Sequence, residues 1–167
     1  MKRKSFAGMS CTIARALEEI GEWWSLLIVR ECTQGATRFE EFQRELGIAR
    51  NILSARLERL TELGIIETFA VDDRANTDGY RLTRKGEDLY PVLASLKQWG
   101  DQWLNAGKAS TEWVEDATGA PIDTMSVRSK GGRPLSFRDI RYTAGPGASP
   151  TTPSTAKARN LKVLGRA

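Results

Sequence analysis

Two short apolar runs at helical spacing, parted by one glycine-bearing break, constrain this chain more than any other feature. Phe39, Phe42 and Leu46 recur at helical intervals, and Leu53, Leu57 and Leu60 do the same. Gly47 and Ile48 interrupt the pattern and leave room only for a tight turn. The second run carries Arg50, Asn51, Arg56 and Arg59 among its polar positions. Two amphipathic helices joined this closely, the second one basic, predict a helix-turn-helix.

The residues that follow extend the pattern. Residues 65–71 are rich in β-formers, 72–79 form a polar turn, and 80–83 return as a second short strand. A hairpin at this place occupies the position of a wing. The expected fold is mainly α with a small β-hairpin wing, a winged helix-turn-helix. A small C-terminal β ribbon-like segment and a disordered tail are expected to follow it. The expected divisions are a flexible basic arm over 1–10, the winged domain over 11–106, a β segment over 107–143 and a basic tail over 144–167.

Composition narrows the chemistry. The chain has 167 residues, a formal charge of +4, two cysteines and no histidine. Without histidine it cannot build a Ser-His or Cys-His dyad or a His-containing zinc site. Two cysteines far apart make no disulfide framework. Acidic neighbours such as Glu18-Glu19 point in different directions along a helix and make no acid–base pair. The reading is therefore not an enzyme, with no catalytic residues, no metal and no cofactor. A modest basic excess suits a polyanionic partner. No apolar run approaches the roughly 20 residues of a bilayer span, and the basic start lacks the apolar core of a signal peptide. A cytoplasmic location is expected.

The contacts to a polyanion can be placed by helical geometry. With Leu53, Leu57 and Leu60 inward at about 100° per residue, Asn51, Ala55, Arg59 and Glu62 face outward and Ser54 and Arg56 lie on the flanks. Only the first turns of such a helix reach base edges, which selects Arg50, Asn51, Ser54, Ala55 and Arg56. Arginine can pair with guanine through two atoms, and asparagine with adenine. Arg38 begins the preceding helix, where Thr37 and Glu40 form a capping-box pattern; it faces either phosphate or solvent. In the hairpin, Arg74, Asn76 and Thr77 occupy the tip and Arg81 the returning strand, the places from which a wing reaches the minor groove. The competing reading is an amphipathic surface helix whose arginines pair with Glu58 and Glu62.

Flanking helices suggest how two copies meet. Ile13, Ala16, Leu17 and Ile20 line one face of a helix starting near Thr12 and closed by Gly21. The run from Trp23 to Cys32 is nearly all apolar and belongs in the core. From 84 to 104 a helical pattern carries Leu89, Val92, Leu93, Leu96, Trp99, Trp103 and Leu104, with Pro91 predicting a kink or an early break. This apolar face is too large to leave in water, so a homodimer through the N-terminal helix and helix 84–104 is expected. Cys11 stands before the first helix, where unpaired amides favour thiolate. Cys32 reads as a small buried residue.

Taken jointly, Cys11, the ALEEIGEWWSLLIVREC block, TRFEEFQRELGI, SARLERLTELGII, YRLTRKG and LKQWG resemble the HxlR-type (DUF24) winged-helix regulators of bacteria, relatives of the MarR-like repressors. The resemblance covers about the first 100 residues. It implies a dimer held by its terminal helices that binds palindromic promoter DNA, with Ser54 and Arg56 on the DNA-reading helix. It also makes Cys11 a redox- or electrophile-sensing candidate, although Thr12 replaces the family's usual proline. Some relatives carry a C-terminal ribbon with cysteine ligands; Thr118, Arg128 and Gly131 stand in their place here, so no zinc is expected.

The combined expectation is a dimeric, sequence-specific transcriptional regulator, a repressor on a palindromic double-stranded operator. The alternative is a winged-helix protein-interaction module without specific DNA binding, which Glu58, Glu62, Asp72 and Asp73 favour.

Overall fold

A computed structural model describes residues 5–71, 78–150 and 152–164. The chain divides into two units, 1–112 and 113–167. In the first unit the order is α1 (Thr12–Ile20), α2 (Trp23–Thr33), α3 (Phe39–Leu46), α4 (Arg50–Glu62), β1 (Ile66–Ala70), β2 (Asp78–Leu82), α5 (Arg84–Glu87) and α6 (Tyr90–Trp103).

The core is built by the residues whose spacing announced it. Phe42, Leu53, Leu57 and Leu60 are fully buried with Ile28 and Val29 of α2, and Ile48, Ile65 and Ile66 complete the cluster. Each buried leucine or isoleucine contributes about 1.5–3 kcal/mol relative to exposure, so this seam dominates the energetics. Trp24, Cys32, Leu89 and Leu93 pack partly buried against it. Trp23 does not. It is 79% exposed, against the expectation that the run from Trp23 belongs in the core, on a part of α2 that its neighbours leave uncovered. Glu31 is buried and its charge is met by the adjacent Arg30 guanidinium.

The turn between α3 and α4 is as tight as the break required. Gly47 adopts φ +60°, a left-handed conformation that glycine takes without strain, and its N–H bonds Gln43 O. Ile48 is buried and pins the turn to the core. The start of α3 differs from the capping box expected at Thr37 and Glu40. The cap is Arg38, and Glu41 Oε2 accepts from the N–H groups of Thr37 and Arg38 at 2.8 and 2.9 Å. With the helix beginning one residue later, Glu41 rather than Glu40 reaches back to the free amides.

β1 and β2 pair antiparallel, from Ile66 opposite Leu82 to Ala70 opposite Asp78. The hairpin is fastened to the helices twice. Tyr80 N–H donates to Thr37 O at 2.7 Å, and the Tyr80 ring meets Phe42 edge-on with centroids 6.3 Å apart. The helical pattern over 84–104 is broken near Pro91, as expected, into two helices. α5 is capped by Thr83, whose Oγ1 accepts from Gly86 N–H, and Pro91 falls in the first turn of α6, where its missing N–H costs nothing.

The second unit departs further from expectation. Its small β ribbon-like segment is reduced to two isolated antiparallel bridges, Val114 with Pro121 and Arg128 with Pro134, beside a short 3-10 turn at Phe137–Asp139. In place of a tail disordered over 144–167, Thr152–Leu164 forms α7. Its Thr-Pro start and Ala, Lys and Arg content suit a helix. Asn160 ties it back by two hydrogen bonds to the backbone of Tyr142, both 2.8 Å. Among the described residues no helix is long and apolar enough to cross a membrane.

Gly86 gives a sharp test of the hinge between hairpin and α5. A Cβ there would lie 2.2 Å from Ile65 O, a backbone atom that cannot swing away. Gly86→Ala is expected to cost about 1–3 kcal/mol, read as a lowered midpoint in urea unfolding.

Candidate nucleic-acid interface

α4 presents its first turns to solvent because its other face is consumed by the core. Arg50, Asn51, Ile52, Ser54 and Ala55 are exposed, while Leu53 and Leu57 are fully buried. The expected outward pair Asn51 and Ala55 is thus brought together with Ser54 on one accessible surface. Ile52 joins them, 40% exposed, although its apolar side chain gave no reason to count it among the contacts. Its place on the helical wheel, about 100° from Leu53, is the signal that could have found it.

The arginines of this region are less free than their number suggests. Arg50 lies over the Phe39 ring, 4.8 Å from its centroid. Arg59 pairs with Glu62 at 3.0 Å and Arg44 with Glu45 at 2.8 Å. On β2, Arg81 pairs with Glu67 across the hairpin at 2.7 Å and stacks over Phe69 at 5.3 Å. Exposed pairs of this kind are worth about 0–1 kcal/mol, so a phosphate can displace them. Arg38 is half-buried at the start of α3. Arg74, Asn76 and Thr77 lie outside the described residues.

Arg56 is different in kind. Its side chain is mostly covered and meets Glu22 at 3.4 Å, at the cap of α2. The pair lacks hydrogen-bond geometry: Arg56 Nε and Glu22 Oε2 are buried without a hydrogen-bond partner, as is Ser25 Oγ one turn further along α2. The partner lies 34 positions away in sequence, beyond the reach of any helical-spacing argument. The competing reading paired the arginines of α4 with Glu58 and Glu62; Arg59 does pair with Glu62, while Arg56 meets Glu22.

The two thiols sit in contrasting places. Cys11 caps α1 and is half-buried, with no side-chain capping bond. Cys32 packs against the core, and burial together with the Glu31 carboxylate beside it pushes its thiol up to about 12. At neutral pH Cys32 is therefore a closed thiol. Among the described residues no group of three or more Cys, Asp and Glu side chains could hold a metal ion.

Two measurements follow from these environments. At pH 8 in native protein, Cys32 is expected to resist alkylation and to react only on unfolding, which mass spectrometry of iodoacetamide-treated peptides checks. The backbone amides of Arg38 and Thr37 hold the Glu41 carboxyl below its ordinary value of 4.5. Its stabilisation of the α3 start is thus fully present above pH 4.5 and lost as pH falls through the lower folded-state value. Urea unfolding of wild type and Glu41→Gln should show an advantage for wild type at pH 7 that shrinks by pH 3.

An exposed polar surface on the second helix of a helix-turn-helix, beside a hairpin, has counterparts among known proteins. The HxlR-like helix-turn-helix family matches residues 19–108, more than half of the chain. The uncharacterized HTH-type transcriptional regulator MT3179 of Mycobacterium tuberculosis is 36% identical over 137 residues, covering 81% of this chain and 87% of its own. The crystal structure of PA1607, described as a candidate transcription factor, superposes with a TM-score of 0.79 at 39% identity over 85% of this chain and 100% of that one. The redox regulator HypR in its oxidised form shares 28% identity over 55% of this chain and 96% of its own, with a TM-score of 0.52. The chain belongs to the HxlR-like helix-turn-helix family of transcriptional regulators.

Proposed function

We propose that this regulator is a cytoplasmic homodimer that represses transcription by setting two copies of α4 into the major groove of a palindromic operator. The observation that carries the reading is the surface of Asn51, Ser54 and Ala55, exposed on the first two turns of α4 directly after a Gly47 turn. In a helix-turn-helix these are the turns that reach base edges. Arg50, Arg38 and Arg81 flank them and supply phosphate and groove-wall contacts, and Arg74, Asn76 and Thr77 are assigned to the wing. Arg56 supports α4 from behind through Glu22.

Dimerisation rests on two unpartnered apolar faces of the first unit. On α1, Ile13 is 73% exposed; on α6, Trp103 is 70% exposed, with Leu96 and Trp99 on the same helix also in water. Large apolar side chains gathered in water are unfavourable in a monomer and suit an association surface. Trp99→Glu combined with Trp103→Glu is expected to convert the dimer to monomer in analytical ultracentrifugation and to abolish operator binding.

Cys11 is the thiol we assign to any response to oxidants or electrophiles. Its placement at the cap of the exposed helix α1 supports this, as does the redox role of HypR. Cys11→Ser protein that still released its operator fully on oxidation would remove the assignment.

A second reading, a protein-interaction module without specific DNA binding, draws on the intramolecular pairing of Arg44, Arg59 and Arg81. Binding to duplex DNA as a function of salt separates the two, since release of counterions makes affinity fall steeply with ionic strength. For the DNA reading, Asn51→Ala should cost about 1–3 kcal/mol on the operator while leaving random duplex almost unaffected, as gel-shift titrations would show.

A further inference from the structure

The composition of the exposed face of α4 points beyond DNA binding to the kind of sequence bound. Guanine offers two acceptors in the major groove and is best met by a free guanidinium. Two of the three arginines on α4 are held in ion pairs, and the third stacks over an aromatic ring. Arg50 stacks on Phe39, Arg56 is covered and paired with Glu22, and Arg59 is paired with Glu62. Outward on the first two turns, beside the exposed Arg50, are one amide, one hydroxyl and two apolar groups: Asn51, Ser54, Ile52 and Ala55.

Ile52 is the unusual member. The same helix buries Leu53, Leu57 and Leu60 completely yet leaves this β-branched residue 40% exposed. At helical spacing Ile52 and Ala55 are neighbours, one turn apart, with Asn51 beside them. In the major groove the 5-methyl of thymine is the apolar group a base pair presents, and the adenine opposite offers N6 and N7 to an asparagine amide.

From this arrangement we infer that α4 reads A·T base pairs, with Ile52 and Ala55 against thymine 5-methyl groups and Asn51 on adenine. The inference rests on the DNA-reading role of α4 proposed above. It makes Ile52 a specificity-determining residue and Arg56 a positioning one.

The test begins with full-length protein and a pool of randomised duplexes, from which the bound sites are sequenced. In the best site each thymine is then replaced in turn by deoxyuridine, which removes the methyl group and nothing else. Wild type is expected to lose affinity about fourfold at a thymine in each half-site, the value of one buried methyl-sized group. Ile52→Ala should bind the thymine and uracil forms alike at the thymine that Ile52 meets, with its fold checked by circular dichroism. Selected half-sites led by G·C pairs, or equal binding of thymine and uracil by wild type, would overturn the inference and leave the DNA-reading role standing. Failure to enrich any sequence would remove that role and the inference with it.

Discussion

The burial of one leucine seam orders the whole winged unit. Leu53, Leu57 and Leu60 must leave water, and only the facing surfaces of α2, α3 and the base of the hairpin can receive them. Because an α-helix has one such face, satisfying the seam fixes which residues of α4 are left outside. The exposed surface of α4 is the geometric remainder of the core. Asn51, Ser54 and Ala55 are exposed for the same reason that Leu53 and Leu57 are hidden.

The unit then spends little of its charge on stability. The arginines around α4 and β2 are held mostly by exposed carboxylates, in pairs that contribute little in water and yield to a stronger anion. The Glu22–Arg56 pair is the exception, because both side chains are largely covered. Removing one partner would leave the other charge buried and unpaired, which makes the pair a constraint on how α4 stands against α2.

How much was legible beforehand varied with the range of the interaction. Helix positions, the Gly47 turn, the hairpin and the core leucines all follow from spacings of four residues or fewer and from the left-handed freedom of glycine, and the structure agrees with them. Shifts of a residue or so at element ends, such as the α3 cap passing from Thr37 and Glu40 to Arg38 and Glu41, reflect competition between nearly equivalent local bonds. The larger departures came where periodicity was weak. Residues 113–143 form bridges rather than strands, and a basic stretch without acidic residues forms α7, since composition alone separates a short helix from coil poorly.

By itself the sequence determined that this chain folds as a winged helix-turn-helix, because apolar periodicity and turn chemistry act between near neighbours, and its motifs carried the resemblance to a family of regulators that the comparisons show. Only the tertiary structure decided which outward residues are available. It turned Arg56 toward Glu22, stacked Arg50 on Phe39, left Ile52 and Trp23 in water and closed the Cys32 thiol beside Glu31. Each of those outcomes depends on a residue from another element or on how much surface a neighbouring helix covers. Packing settles such matters after the local pattern has already been satisfied.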